Sequence, residues 1–93
     1  MAKYILTDTN NETPVMHHIN NDIIIQAFGD FKGGKLQFEY SQDDLPYITL
    51  DDFSITKNDV LSVSPAFSCN YKIKLENATS GASVNVSILP RQS

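Results

Sequence analysis

The chain has 93 residues, 41% of them apolar, with seven basic against eleven acidic side chains and a formal charge of −4. That length makes one small domain with a single core, and the composition excludes a disordered chain. The acid excess, with a pI near 4.8, argues against nucleic acid or an anionic membrane surface as partner, and no run of about 18 apolar residues exists to span a bilayer.

Nine isoleucines, five valines and nine aromatics set among Ser, Thr and Asn favour strands over helices. In chain order, Lys3–Thr7 reads as a first strand. Met1-Ala2-Lys3-Tyr4 lacks the apolar stretch of a secretory signal, so the chain is expected to be used without secretion. Residues 9–21 are polar and Asn-rich, and predict a long loop or a hinged arm. The division expected from this is a strand plus arm over 1–21 and a body over 22–93. Asp22–Phe28 holds three consecutive isoleucines and suits a strand covered on both faces. The turn at residues 29–34 leads to Lys35–Tyr40, where Leu36, Phe38 and Tyr40 share one face. Shorter strands follow at Tyr47–Leu50, Phe53–Thr56 and Val60–Val63. Pro65 is expected to interrupt pairing. Tyr71–Leu75 and Ser83–Ile88 alternate strictly, and Asn77–Gly81 between them is expected to close a final hairpin. Leu36, Phe38, Tyr40, Ile73, Leu75, Val84, Val86 and Ile88 are the expected core. Turn signals at this spacing predict an all-β, antiparallel sandwich of about seven to eight short strands, Ig-like or jelly-roll-like.

Few constellations carry chemistry. His17 and His18 are neighbours and point apart in a strand, with no second pair to complete a metal site, and they are expected to be solvated loop residues. Asp43, Asp44, Asp51 and Asp52 flank one hairpin. They are expected as turn residues, with a calcium site and a carboxylate pair as alternatives that lack the usual spacing or a protonated partner. Cys69 is the only cysteine, so no internal disulfide forms; it is expected to be a small core residue, since no cation stands beside it in sequence to activate a thiolate. There is no G-x-S-x-G elbow or P-loop. Asn77 and Asn85 head sequons, which carry no weight without a secretory signal. The expectation is therefore no enzyme and no cofactor.

From Phe28 to Ile88 the chain resembles small virion proteins of tailed bacteriophages. The pieces that carry the resemblance are Gly33-Gly34-Lys35-Leu36, Glu39-Tyr40-Ser41-Gln42-Asp43-Asp44, Tyr47-Ile48-Thr49-Leu50, Asn70–Leu75 and Asn77-Ala78-Thr79-Ser80-Gly81-Ala82. Ser41, Asp43 and Tyr47 also resemble a degenerate Asp-box, without its glycine and with tyrosine in place of tryptophan. The resemblance implies a non-enzymatic structural virion protein, chiefly a capsid decoration (cement) protein. Its partner would be the major capsid protein or another virion protein, and assembly would take place in the host cytoplasm. A tail or fibre adaptor and a carbohydrate-binding module using Tyr47 or Phe31 as a platform are the alternatives. Self-association as a dimer or trimer is expected, with residues 1–21 forming part of the contact. The expected interaction residues are Tyr4, Ile5, Leu6, Phe31 and Tyr47.

Overall fold

Strands with an apolar residue at every second position bury one face each, so they must form two sheets packed inner face to inner face. The structure, a computed structural model, describes residues 2–18, 22–42, 46–50, 53–63 and 69–91. It contains β1 (Ala2–Thr7), β2 (Met16–His18), β3 (Asp22–Asp30), β4 (Lys35–Ser41), β5 (Ile48–Thr49), β6 (Asp59–Val63), β7 (Cys69–Glu76) and β8 (Ser83–Arg91). They form two four-stranded antiparallel sheets, ordered β1-β8-β3-β6 and β2-β7-β4-β5.

The pairings β1–β8, β2–β7, β3–β6 and β4–β5 lay the first half of the chain against the second as one long hairpin. Tyr4 faces Val86, His17 faces Asn70, Ile25 faces Leu61 and Tyr40 faces Ile48, so the partners' residue numbers add to nearly the same total throughout. Rolling that hairpin up adds β3–β8 and β4–β7. This is the strand order of an eight-stranded jelly roll, which settles the choice against the Ig order.

Seven of the eight residues expected in the core are buried there, and Tyr40 packs half-buried against it. Leu6, Ile23, Ile25, Val84, Val86 and Ile88 come from one sheet and Leu36, Phe38, Tyr71, Ile73 and Leu75 from the other. Phe38 stacks on Tyr71 with ring centroids 5.2 Å apart and meets Phe53 at 5.9 Å. β3 is covered on one face only: Ile23, Ile25 and Ala27 point inward, and Gln26 and Phe28 lie exposed on the other side.

Two connections differ from expectation. Asn77–Gly81 closes no hairpin, because β7 and β8 belong to different sheets. Both strands carry a full apolar face, and stacking those faces buries more surface than pairing the strands edge to edge. The turn at residues 31–34 crosses between sheets at the same end. It has positive φ at Lys32 (47°) and Gly33 (81°), closed by Gly34 N–H donating to Phe31 O at 2.8 Å. The two crossovers are fastened together: Thr79 N–H and Oγ1 donate to Lys32 O at 3.1 and 3.0 Å. A Cβ on Gly34 would sit 2.8 Å from that of Ala78, so only glycine fits there. Phe53–Thr56, expected as a strand, makes a single bridge between Ile55 and Leu36 while the chain crosses to the other sheet.

The segment expected as a polar arm is, over its described part, an edge of the second sheet. Thr13 N–H donates to Ile73 O at 3.0 Å, Leu75 N–H to Asn11 O at 2.8 Å, and Ile73 N–H to Thr13 Oγ1 at 3.0 Å. β2 then continues along β7. Polar side chains suit this path because short Thr and Asn groups satisfy β7's main chain where the ladder is irregular.

Candidate functional site

The outward-facing residues of the two sheets differ in kind. In the first sheet, β3 presents Ile24, Gln26 and Phe28, β8 presents Asn85, Ser87 and Leu89, β1 presents Lys3 and Ile5, and β6 presents Val60 and Ser62. Cross-strand register puts Gln26 at the centre, opposite Ser87 on β8 and Val60 on β6, with Ile24 and Phe28 two residues away on its own strand. Leu89 lies opposite Ile24; Asn85 lies between Phe28 and Ile5. Ile5 is 58% exposed, Val60 53%, Phe28 49% and Leu89 44%. Single exposed apolar residues are ordinary, and it is their grouping on one sheet face that sets this surface apart. Among the described residues of this face Lys3 is the only charged side chain away from the strand ends, where Asp22 and Asp30 close β3.

Local sequence produces the face. Isoleucines occupy both phases of β3, so burying Ile23 and Ile25 forces Ile24 outward. Gly29, with φ of 138°, ends the exposed row beyond Phe28, and its N–H donates to Asn58 Oδ1 at 3.0 Å. A Cβ there would strike Ser83 O.

The outer face of the second sheet carries paired charge. Lys72 Nζ lies 3.2 Å from Glu12 and 3.8 Å from Glu39, and Lys74 lies 3.8 Å from Glu76. Gln37, with its amide turned to donate, is 2.9 and 3.1 Å from the two Glu76 oxygens. Lys72 also stands over the Tyr47 ring, 4.9 Å from its centroid.

Among the expected interaction residues, Ile5 and Tyr47 are exposed and stand on opposite sheets. Leu6 and Phe31 are corrections. Leu6 is 1% exposed because β1 alternates and its even positions face the core. Phe31 is 6% exposed because the crossover turn folds its ring over the end of the sandwich, and it offers no platform. Tyr4 is half-buried, with its hydroxyl 3.8 Å from Met16 Sδ. Sequence reading missed Phe28, Val60 and Leu89 as a shared face. The signal available was the apolar residue in the outward phase of each strand, but only the strand order shows that these phases meet.

His17 lies in β2, not in a loop, and its Nδ1 is 3.1 Å from Asn70 Oδ1. Short as β2 is, pairing with Asn70 and its neighbours holds it. Cys69 is buried as expected, and that burial pushes its thiol pKa up, away from a reactive thiolate. Among the described residues no group of three His, Cys, Asp or Glu is placed to hold a metal ion. Asp43, Asp44, Asp51 and Asp52 lie outside the described residues, as does the Asp-box position Asp43. Ser41, also of that motif, is buried. Compared with protein-family models, curated proteins and solved structures, the chain matches none.

Proposed function

We propose that this chain is a non-enzymatic structural protein of a virion. In this reading it decorates a capsid by docking the outer face of β1-β8-β3-β6 onto the major capsid protein or another virion protein. The observation that carries the reading is the uncharged cluster of Ile24, Phe28, Val60 and Leu89 around Gln26. Interfaces are depleted of charge at their centre and enriched in aromatic residues, and a rigid sheet loses little entropy on binding. The jelly roll occurs in capsid and lectin domains alike, so the fold is compatible with the bacteriophage resemblance without selecting it. Repeating one contact between copies on a shell also suits a dimer or trimer. The carbohydrate reading loses support, since Phe31 is buried and Lys72 covers a face of Tyr47.

The test compares particles assembled from the genome that encodes the chain, with and without it. The proposal expects the chain in purified particles, restored by adding back the wild-type protein and not by Phe28→Asp or Val60→Asp. Particles that never contain the chain, or that take up both variants as well as wild type, overturn it.

A further inference from the structure

The turn after β1 shows which way that strand's main chain faces. Thr7 N–H donates to Asn10 O at 3.0 Å, into the turn and away from β8. In an antiparallel strand each residue directs its N–H and C=O to one side, and the side alternates along the chain. Thr7 thus sets the phase: Ile5 and Lys3 also turn their main-chain groups away from β8, toward the open edge of the sheet. Edges of this kind pair readily with another extended chain unless something covers them.

Beside the edge runs a groove of about 1080 Å³, lined by residues 3–6 on one side and 9–14 on the other, which opens onto the outer face at Phe28. The far wall belongs to the second sheet. There Thr13 N–H and Asn11 O are bonded to β7, Pro14 has no N–H to give, and the same alternation turns only Glu12's N–H toward the groove. An extended occupant therefore finds successive main-chain groups of a regular strand on β1 alone. Charge selects the occupant. Glu12 on the far wall is held by Lys72, whereas exposed Lys3 has no ion-pair partner among the described residues. A second copy would bring another Lys3, not a carboxylate, to the same edge.

We infer that β1 is a strand-addition site. An extended segment of a different polypeptide, carrying an acidic side chain for Lys3, pairs with the main chain of Lys3 and Ile5 and becomes a fifth strand of β1-β8-β3-β6. This deepens the docking proposal, on which it rests for the existence of a protein partner.

The test uses the full chain and three synthetic ten-residue peptides alternating valine and threonine. One has a central aspartate, the second a central lysine, and the third is the aspartate peptide N-methylated at alternate residues. Amide hydrogen exchange is read residue by residue. In the free protein the Lys3 and Ile5 amides should exchange fast while Tyr4 and Leu6 are protected. The aspartate peptide should slow Lys3 and Ile5, bind roughly threefold tighter than the lysine peptide, as one exposed ion pair would give, and lose that advantage with Lys3→Gln. The N-methylated peptide should do nothing. Protection at another edge, equal action by the N-methylated peptide, or no protection by any peptide overturns the inference. So do Lys3 and Ile5 amides already protected in a free protein of doubled mass, which would give the edge to a second copy. Val60→Asp, on the same face but away from the groove, separates the two readings: loss of particle binding with peptide pairing intact is a failure of neither. Particle binding that survives Val60→Asp defeats the face, and absent peptide pairing defeats the edge.

Discussion

On the outer face of β2-β7-β4-β5, Lys72 reaches Glu12 and Glu39 at 3.2 and 3.8 Å and Lys74 reaches Glu76 at 3.8 Å. On the outer face of β1-β8-β3-β6 the corresponding central positions hold Gln26, Ser87 and Asn85, bordered by Phe28, Val60, Leu89 and Ile5. The sheets have the same number of strands and contribute alike to one core. The difference of interest lies in the outward phase of their central strands, although Val15, Tyr47 and Ile48 are exposed at the margins of the second sheet. Charged partners keep the second face solvated, and like charges brought to it by another surface would need stripping of water. The first face loses little on desolvation, because its central groups are apolar or small neutral amides and hydroxyls.

The largest expected effects test the claim that the inner faces are equivalent. Phe38→Ala in the second sheet should cost about 3–5 kcal/mol and Ile25→Ala in the first about 2–5 kcal/mol, measured by urea unfolding. A loss in one sheet only would show that the core is not shared. Next, Phe28→Asp should weaken particle binding by about 2 kcal/mol or more, as an aromatic anchor does, while stability shifts by less than about 0.5 kcal/mol. Lys74→Gln on the opposite face should leave binding unchanged. Smaller still, Lys72→Ala should cost about 1 kcal/mol of stability through lost pairs with Glu12 and Glu39, less at high salt, with docking untouched.

The smallest effect concerns pH. Burial raises the Cys69 thiol and the Tyr71 phenol above their ordinary values of 9.0 and 10.0, and Tyr4 and Cys69 add to the rise at Tyr71. For groups raised on folding, the contribution is present in full below the unfolded value and is lost as pH climbs through the folded one. Stability should therefore hold from neutral pH to about 9 and decline above it, and Cys69→Ala should flatten the first part of that decline. An unchanged decline in Cys69→Ala would remove the thiol from the account.

Much of the fold was legible because alternation is a local property. Lys35–Tyr40, Tyr71–Leu75 and Ser83–Ile88 announce their inward faces residue by residue, and all eight core assignments follow from them. Strand order is not local. Nothing near Asn77–Gly81 distinguishes a hairpin turn from a crossover, since Asn77 and Gly81 suit either, and the choice depends on β1 and β4 far away in sequence. The same distance hid the proposed docking face. Phe28, Val60 and Leu89 look like isolated outward residues until register places them around Gln26. Ile5 and Leu6 are both expected as interaction residues, and the alternation of β1 leaves Ile5 exposed and buries Leu6.

Covalent surface labelling of the chain on the particle, compared with the chain free in solution, measures the contrast between the two faces most directly. The account predicts that Ile5, Phe28, Val60 and Leu89 become protected on the particle while Lys74 and Tyr47 label as they do in solution. Protection of Lys74 and Tyr47 with Phe28 and Val60 still fully labelled would contradict it.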